Sequence, residues 1–340
     1  MNAPPVTPLG PGGEFDRLRA VFARLGSRAP GVGDDAALVT VDGIQLALSC
    51  DLVIEGRHFR RDWLTAEEIG WRACAAALSD LAAMAAQPLG VLAAVGVPEG
   101  SAGAFLEDLM DGVGRAAAFA GAAVWGGDLV QAPAVTVDVT VVGRADRPVR
   151  RSGARPGDRV WVTGALGAPA AAVAAWEAGG EPHPGVRTRF ARPVPRIAEA
   201  AWLRDRGASA MLDVSDGLVG DAGHLAAASG VAVTIEAERV PVHGAVGGVG
   251  GEGGAADAAG AADAAAVTRR LEYALRGGEE YELLVTLPAT FGEADARAFV
   301  RAFDLPLTCV GAIAEGTGVT VMRAGQPWDV GGGFSHFSIA

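Results

Sequence analysis

The chain of 340 residues contains no lysine, so its positive side chains are arginines, apart from any protonated histidine. That absence removes several mechanisms at once. A P-loop needs a lysine behind its glycines, a protein kinase needs one on a strand, and Schiff-base chemistry needs the amine itself. Cysteine is nearly as scarce. Cys50, Cys74 and Cys309 are too few and too scattered for a disulfide framework or a zinc site, and they point to a reducing cytoplasm. No uninterrupted apolar run reaches the roughly 18 residues of a membrane span. The opening MNAPPVTPLGPG has neither a basic start nor an apolar core, and reads as a flexible lead-in instead of a signal peptide. A net charge of −12 also withholds the positive field that nucleic acid or an anionic membrane would require.

What is present is enough chain for two domains, each with its own core. Phe15 to Leu25 has amphipathic helical spacing, and Ile44 to Asp51 alternates like a strand that ends at an acid. Thr65 and Glu68 form a capping box that opens a helix running to about Ala86, before Pro88. A second helix fits Ala104 to Gly121. Val135, Val137, Val139 and Val141 alternate with polar residues, a clean strand signature. The Pro-, Gly- and Arg-rich stretch from Arg144 to Arg159 reads as a junction, which divides the chain into 1–148 and 149–340. Further strands fit 159–164, 231–237, 281–287 and 319–323. Residues 244–266 are low in complexity and read as a mobile surface insertion without catalytic residues. Strands and helices mix in both halves without regular alternation, which predicts an α+β fold and not a doubly wound sheet.

The informative residues are carboxylates. Asp34 and Asp35 follow Gly-Val-Gly, and adjacent acids repel unless solvent or a cation separates them. A solvated turn explains that pair as well as a metal does. Asp51 is read as terminating a strand, and Asp128 follows Trp125-Gly126-Gly127 just before another apolar segment. Strand ends facing a cleft are common ligand positions, but each residue alone fits a turn or a helix cap as well. Asp80 differs, because Ala76, Ala77, Ala83 and Met84 share its helix face. An ionised carboxylate on an apolar face needs a partner, and no lysine can supply one, which favours a cation there. In MLDVSDGL, Asp213 and Asp216 flank Ser215, which stands where a helix N-cap would fall; helix N-termini suit phosphate. An all-oxygen donor set selects hard cations such as Mg²⁺. Together with Gly-rich turns and an Arg-rich junction, this is a parts list for phosphoryl transfer.

In order along the chain, GEF, GVGDDAAL, LSCDLVIEGRHF, LSDLAAMAAQP, WGGDLV, GRADRPVRRSGARPGD, LDVSDGL, GGEEYELL and GGFSHF resemble the thiamine-monophosphate kinase family. Each motif alone is weak, but nine in sequence order over nearly the whole chain are specific. The resemblance implies the two-domain architecture shared with aminoimidazole-ribonucleotide synthetase. It has an N-terminal mixed sheet with helices that forms a barrel in a homodimer, and a C-terminal α/β sandwich. It implies Mg²⁺ ions held by Asp35, Ser49, Cys50, Asp51, Asp80, Asp128, Asp213 and Asp216. It implies ATP contacts from Gly127, Asp128, Arg151 and Ser215, and thiamine monophosphate contacts from His58, Glu279 and Phe334. The implied reaction is direct transfer from ATP to thiamine monophosphate, without a phosphoenzyme.

Cys50 departs from the family pattern, which has Thr there. A main-chain ligand would tolerate the change, whereas a hydroxyl ligand would be lost. Other readings stay open at this point. A selenophosphate synthetase would carry a reactive Cys near its start, yet no Cys precedes Cys50; a hydrogenase-maturation enzyme would end in Cys, yet this chain ends FSIA. An aminoimidazole-ribonucleotide synthetase fits LSDLAAM and GGEEYEL less well. A non-catalytic nucleotide or metal sensor would be favoured by lost aspartates, and they are all present.

Overall fold

The computed structural model describes residues 6–101, 103–247 and 259–333, with backbone alone for 259–263. In chain order the elements are α1 (Gly13–Leu25), β1 (Ala37–Val41), β2 (Ile44–Ile54), α2 (Ala66–Ala83), β3 (Gln87–Val97), α3 (Gly103–Phe119), β4 (Ala123–Gln131) and β5 (Thr136–Arg144). They continue with β6 (Arg159–Thr163), α4 (Ala168–Glu177), α5 (Pro184–Ala191), α6 (Ile197–Arg204), β7 (Ala210–Asp213), α7 (Leu218–Ser229) and β8 (Ala232–Glu236). The last are α8 (Ala259–Arg276), β9 (Leu283–Leu287), α9 (Glu293–Phe303), β10 (Leu307–Ala314), β11 (Gly318–Arg323) and β12 (Gln326–Pro327). The fold is α+β, as the sequence predicts, and forms two compact units.

The first unit comprises Asp34–Arg150 and Ala191–Asp205. Its sheet has the order β1-β2-β5-β3-β4, antiparallel except for β3 beside β4. Alternation on β5 sends Val137, Val139 and Val141 into the core and leaves Thr136, Asp138 and Thr140 on the other face. The capping box is as expected: Thr65 Oγ1 accepts the Glu68 N–H while Glu68 accepts the Thr65 N–H. α2 packs on α3, on β2 and β5, and on α6. The α2–α3 crossing is tight because glycines face backbone. A methyl on Gly70 would meet the Leu109 carbonyl oxygen at 1.8 Å, and one on Gly112 would meet that of Glu67 at 2.0 Å. Gly70→Ala is expected to cost about 3 kcal/mol, since neither backbone can yield. A lower denaturant midpoint with an unchanged slope is the check; an unchanged midpoint would mean the crossing is looser than this.

Two strand readings are corrected. Asp51 does not end β2, because the β-forming Leu52, Val53 and Ile54 carry the strand on to residue 54. Asp128 lies inside β4, flanked by pairings that run from residue 123 to residue 131. The face of this sheet away from the helices exposes Leu52 and Leu92, and on its edge strand β4 Trp125, Leu129 and Val130 are exposed as well.

The second unit comprises the described residues of Met1–Gly33, Arg151–Phe190 and Arg206–Ala340. Its sheet runs β12-β11-β8-β10-β6-β9-β7, with β11 parallel to β8 and the other pairs antiparallel. Val160, Val162, Leu212, Leu225, Ile235 and Leu284 belong to one buried cluster. Of the low-complexity stretch, 248–258 lies outside the described residues, and 259–266 opens helix α8. The strand expected from Tyr281 starts at Leu283, because Glu279 and Tyr281 adopt left-handed backbone, with φ of 67° and 53°.

Candidate active site

In the first unit, the period of β2 sorts the predicted ligands by face. Ala47 and Val53 are buried, and Ser49 and Asp51 share their parity. Ser49 Oγ donates to Asp80 Oδ2 at 2.5 Å, which joins β2 to the C-terminal part of α2. Carboxylate oxygens of Asp35 and Asp80 lie within 4.8 Å of one another. Beside them, the Asp34 side chain is almost wholly buried, with the Arg150 guanidinium 3.8 Å away. The paired acids of the GVGDD turn therefore divide their tasks: Asp34 is answered by an arginine, and Asp35 faces Asp80.

Cys50 occupies the opposite parity and is exposed. It pairs with Thr140 on β5, on the face away from Asp80. Burial first, then the charges of Asp138 and Asp51, push its thiol above the ordinary value. Its side chain is therefore not with the Ser49–Asp80 pair, so at this position the main chain alone could reach an ion there.

Asp128 is in register with Ala94, which is in turn level with Asp138 and Leu52. Its Oδ1 accepts the Leu129 N–H at 2.9 Å. Among the described residues it belongs to neither close grouping of potential metal ligands. Next to it, Gly127 admits no side chain: a Cβ would meet the Ala93 carbonyl oxygen at 1.8 Å. His58 Nδ1 accepts the Ile54 N–H at 3.1 Å, which fixes the turn after β2 and leaves the proton of the neutral ring on Nε2.

In the second unit, β7 ends at the buried Asp213 and the chain turns through 214–217 into α7. The N-cap of α7 is Gly217, not Ser215 as the sequence suggests. Ser215 instead accepts the Glu279 N–H through its carbonyl at 2.7 Å, and Tyr281 N–H reaches Val214 O at 2.9 Å. Segment 279–281 is thereby laid along the turn, and the Tyr281 hydroxyl donates to the Glu279 carboxylate. Glycines let backbone close in on the turn. A Cβ on Gly278 would meet Ser215 O at 2.3 Å, and one on Gly333 would meet Asp216 O at 2.4 Å. Phe334 lies outside the described residues. Arg151, whose carbonyl accepts from Ser229 Oγ, is close enough to influence the charge states of Asp221 and His224.

Three functional candidates escape the sequence reading. Asp221 accepts both the Ser215 and Asp216 N–H groups at 3.1 Å. Burial, then the charges of Asp216 and Asp213, hold its carboxyl well above the usual range. His224 is pushed down to about 3 by burial and by Arg151 and Arg19, so its ring is neutral and can accept. Tyr281 is the third. An Asp and a His three residues apart inside a helix share a face, which is the one signal that could have marked the first two.

A further buried acid sits near this turn. Glu280 accepts the Gly167 N–H at the start of α4, and burial pushes its carboxyl up to about 8 from 4.5. Between those values the folded state holds a proton that the unfolded chain has lost, so stability falls as pH rises through the interval. Glu280→Gln keeps the acceptor and removes the titration. The variant is expected to show a flatter profile and to be the more stable protein near pH ~9, as read by denaturant midpoints. Parallel profiles for the two proteins would contradict this.

The model for AIR synthase related protein, N-terminal domain, matches residues 33–145, and that for the C-terminal domain matches 155–323. The thiamine-monophosphate kinase of Salmonella typhimurium is 33% identical over 344 residues, covering 96% of this chain and 98% of that protein. The chain belongs to the thiamine-monophosphate kinase family. The family enzyme of Aquifex aeolicus is 33% identical over 313 residues, 91% of this chain and 94% of its own. The structure of AaThiL complexed with AMPPCP and TMP matches at 31% identity and a TM-score of 0.80, covering 96% of this chain and 97% of that one. For a thiamine-monophosphate kinase, the donors found here suit a hard cation. Asp35, Asp80 and Ser49 offer oxygen only, and two acidic oxygens within 4.8 Å repel unless positive charge lies between them.

Proposed function

We propose that this chain transfers the γ-phosphoryl group of ATP to thiamine monophosphate, giving thiamine diphosphate and ADP. The family match over nearly the full chain is the observation that carries the reading, and Asp35, Asp51, Asp80, Asp128, Asp213 and Asp216 are all present in the sequence. In the first unit Asp35, Ser49, Asp51, Asp80 and Asp128, with the Cys50 main chain, are assigned to Mg²⁺. In the second, Asp213 and Asp216 are assigned the same task. Bound Mg²⁺ would neutralise phosphate charge and hold the phosphates in line for transfer.

The chain's own residues supply position. Gly127 lets backbone approach a ligand closely, while Arg151 and Ser215 contact the nucleotide. His58 and Glu279 contact the acceptor, and Phe334, which lies outside the described residues, is assigned to it by the family resemblance. An oxygen of the acceptor phosphate forms the new P–O bond as the bond between the γ-phosphorus and the bridging oxygen breaks, with ADP leaving. That attacking oxygen is already anionic, so no side chain need remove a proton. Three free cysteines suit a reducing cytoplasm, and no helix among the described residues is long and apolar enough to cross a membrane.

The exposed apolar face of the first sheet supports a homodimer formed through it. Leu52, Leu92, Trp125 and Val130 are each 40% or more exposed, and a second copy would bury them. The test of the catalytic reading is ADP release from Mg-ATP with thiamine monophosphate, free thiamine or no acceptor. Release with the monophosphate alone is expected. Equal release without any acceptor would contradict the reading.

A further inference from the structure

Two buried side chains on one face of α7 stand outside the ligand set assigned above. Asp221 is 2% exposed and His224 is 4% exposed. Asp221 Oδ2 takes two successive main-chain N–H groups, those of Ser215 and Asp216. With that acceptor removed, two partly buried donors would have to find water, and the turn would open to reach it. His224 continues the column. Its Nδ1 accepts the Gly10 N–H at 3.2 Å, and its ring lies 3.8 Å from that of Phe15, centroid to centroid. One of its nitrogens, an Asp216 oxygen and an Asp221 oxygen all fall within 4.8 Å of one another. The Arg19 guanidinium donates to the carbonyls of Leu9 and Gly10, which holds that segment in place. A Cβ on Gly10 would meet His224 Nδ1 at 2.6 Å, so a larger residue must displace the imidazole.

We propose that Asp221 and His224 are positioning residues for nucleotide binding: Asp221 locks the 214–217 backbone that presents Ser215 and Asp216, and His224 ties the Leu9–Gly10 segment to the same column. The inference rests on the assignment of Ser215 to the nucleotide and Asp216 to the metal. Outer contacts of this kind change affinity by about 10- to 100-fold when lost.

Three full-length variants test it: Asp221→Ala, Asp221→Asn, which retains a carbonyl acceptor, and Gly10→Ala, which crowds the imidazole. Hydrogen exchange of the 211–221 peptide reads the turn directly, and calorimetric titration with AMPPCP and Mg²⁺ reads nucleotide affinity. Asp221→Ala is expected to exchange about tenfold faster in that peptide, with the peptide over β10 unchanged. It should also bind AMPPCP about tenfold more weakly while binding thiamine monophosphate as before. Asp221→Asn should recover most of both, and Gly10→Ala should weaken AMPPCP by about threefold. Unchanged exchange in Asp221→Ala, or faster exchange with unchanged AMPPCP affinity, would overturn the positioning role. Equal loss for both ligands, or a general rise in exchange, would show a structural role alone and overturn it as well. If the parent protein fails to bind AMPPCP, the nucleotide reading itself falls and takes the proposal with it.

Discussion

Replacing Asp80 with Asn is expected to lower kcat by about 1,000-fold or more while leaving a folded protein. The helix that carries Asp80 is held by its capping box, by Gly70 and Gly112 at the α3 crossing, and by an apolar core that the substitution does not touch. Asn can still accept from Ser49 Oγ, so that hydrogen bond survives. What disappears is a charge within 4.8 Å of Asp35. In the absence of metal that charge is a liability, because two close carboxylates repel. The variant should therefore melt no lower than the parent without Mg²⁺, yet lose most of the parent's thermal shift when Mg²⁺ and AMPPCP are added. That pairing separates a ligand carboxylate from a structural one. A variant that melts far lower without metal, or retains near-full turnover, would remove Asp80 from the metal role.

Arginine in place of Leu92 on the open face of the first sheet is expected to convert a dimer into monomers. Leu92 is 40% exposed and lies level with Thr140, in the middle of the face. Across a two-fold axis each substitution enters twice, and a charge in the apolar centre of an interface is not repaid without a partner. A rise of about 100-fold or more in the dimer dissociation constant follows from a loss of the size typical of central interface positions. Light scattering should give twice the 34.3 kDa chain mass for the parent and the single mass for the variant. A parent that runs at the single mass at every concentration would rule out this interface.

Legibility followed the reach of each interaction. Capping box and strand alternation are local, so Thr65, Glu68 and the valines of β5 marked their elements correctly. β3 and β4 were missed because Ala and Gly carry little strand preference of their own. Both exist through pairing with each other and with β5, and Gly90 leaves the room that the Trp125 indole fills. The α+β class was readable from pattern. The sidedness of Cys50 was not, although it follows from the parity of β2 once the strand is known to run past Asp51. Asp221 and His224 were invisible for a different reason. A buried Asp in a helix looks like any first-turn acid until the N–H groups it accepts are seen. Left-handed backbone at Glu279 and Tyr281 likewise has no sequence sign, since neither is Gly or Asn.

The most direct measurement supplies ATP labelled at the γ-phosphate, Mg²⁺ and thiamine monophosphate, and follows where the label goes. The assignment of the chain as a thiamine-monophosphate kinase predicts label in thiamine diphosphate, one per ADP formed, and none in the protein. Label released as inorganic phosphate, or retained in ATP with no thiamine diphosphate formed, would contradict it.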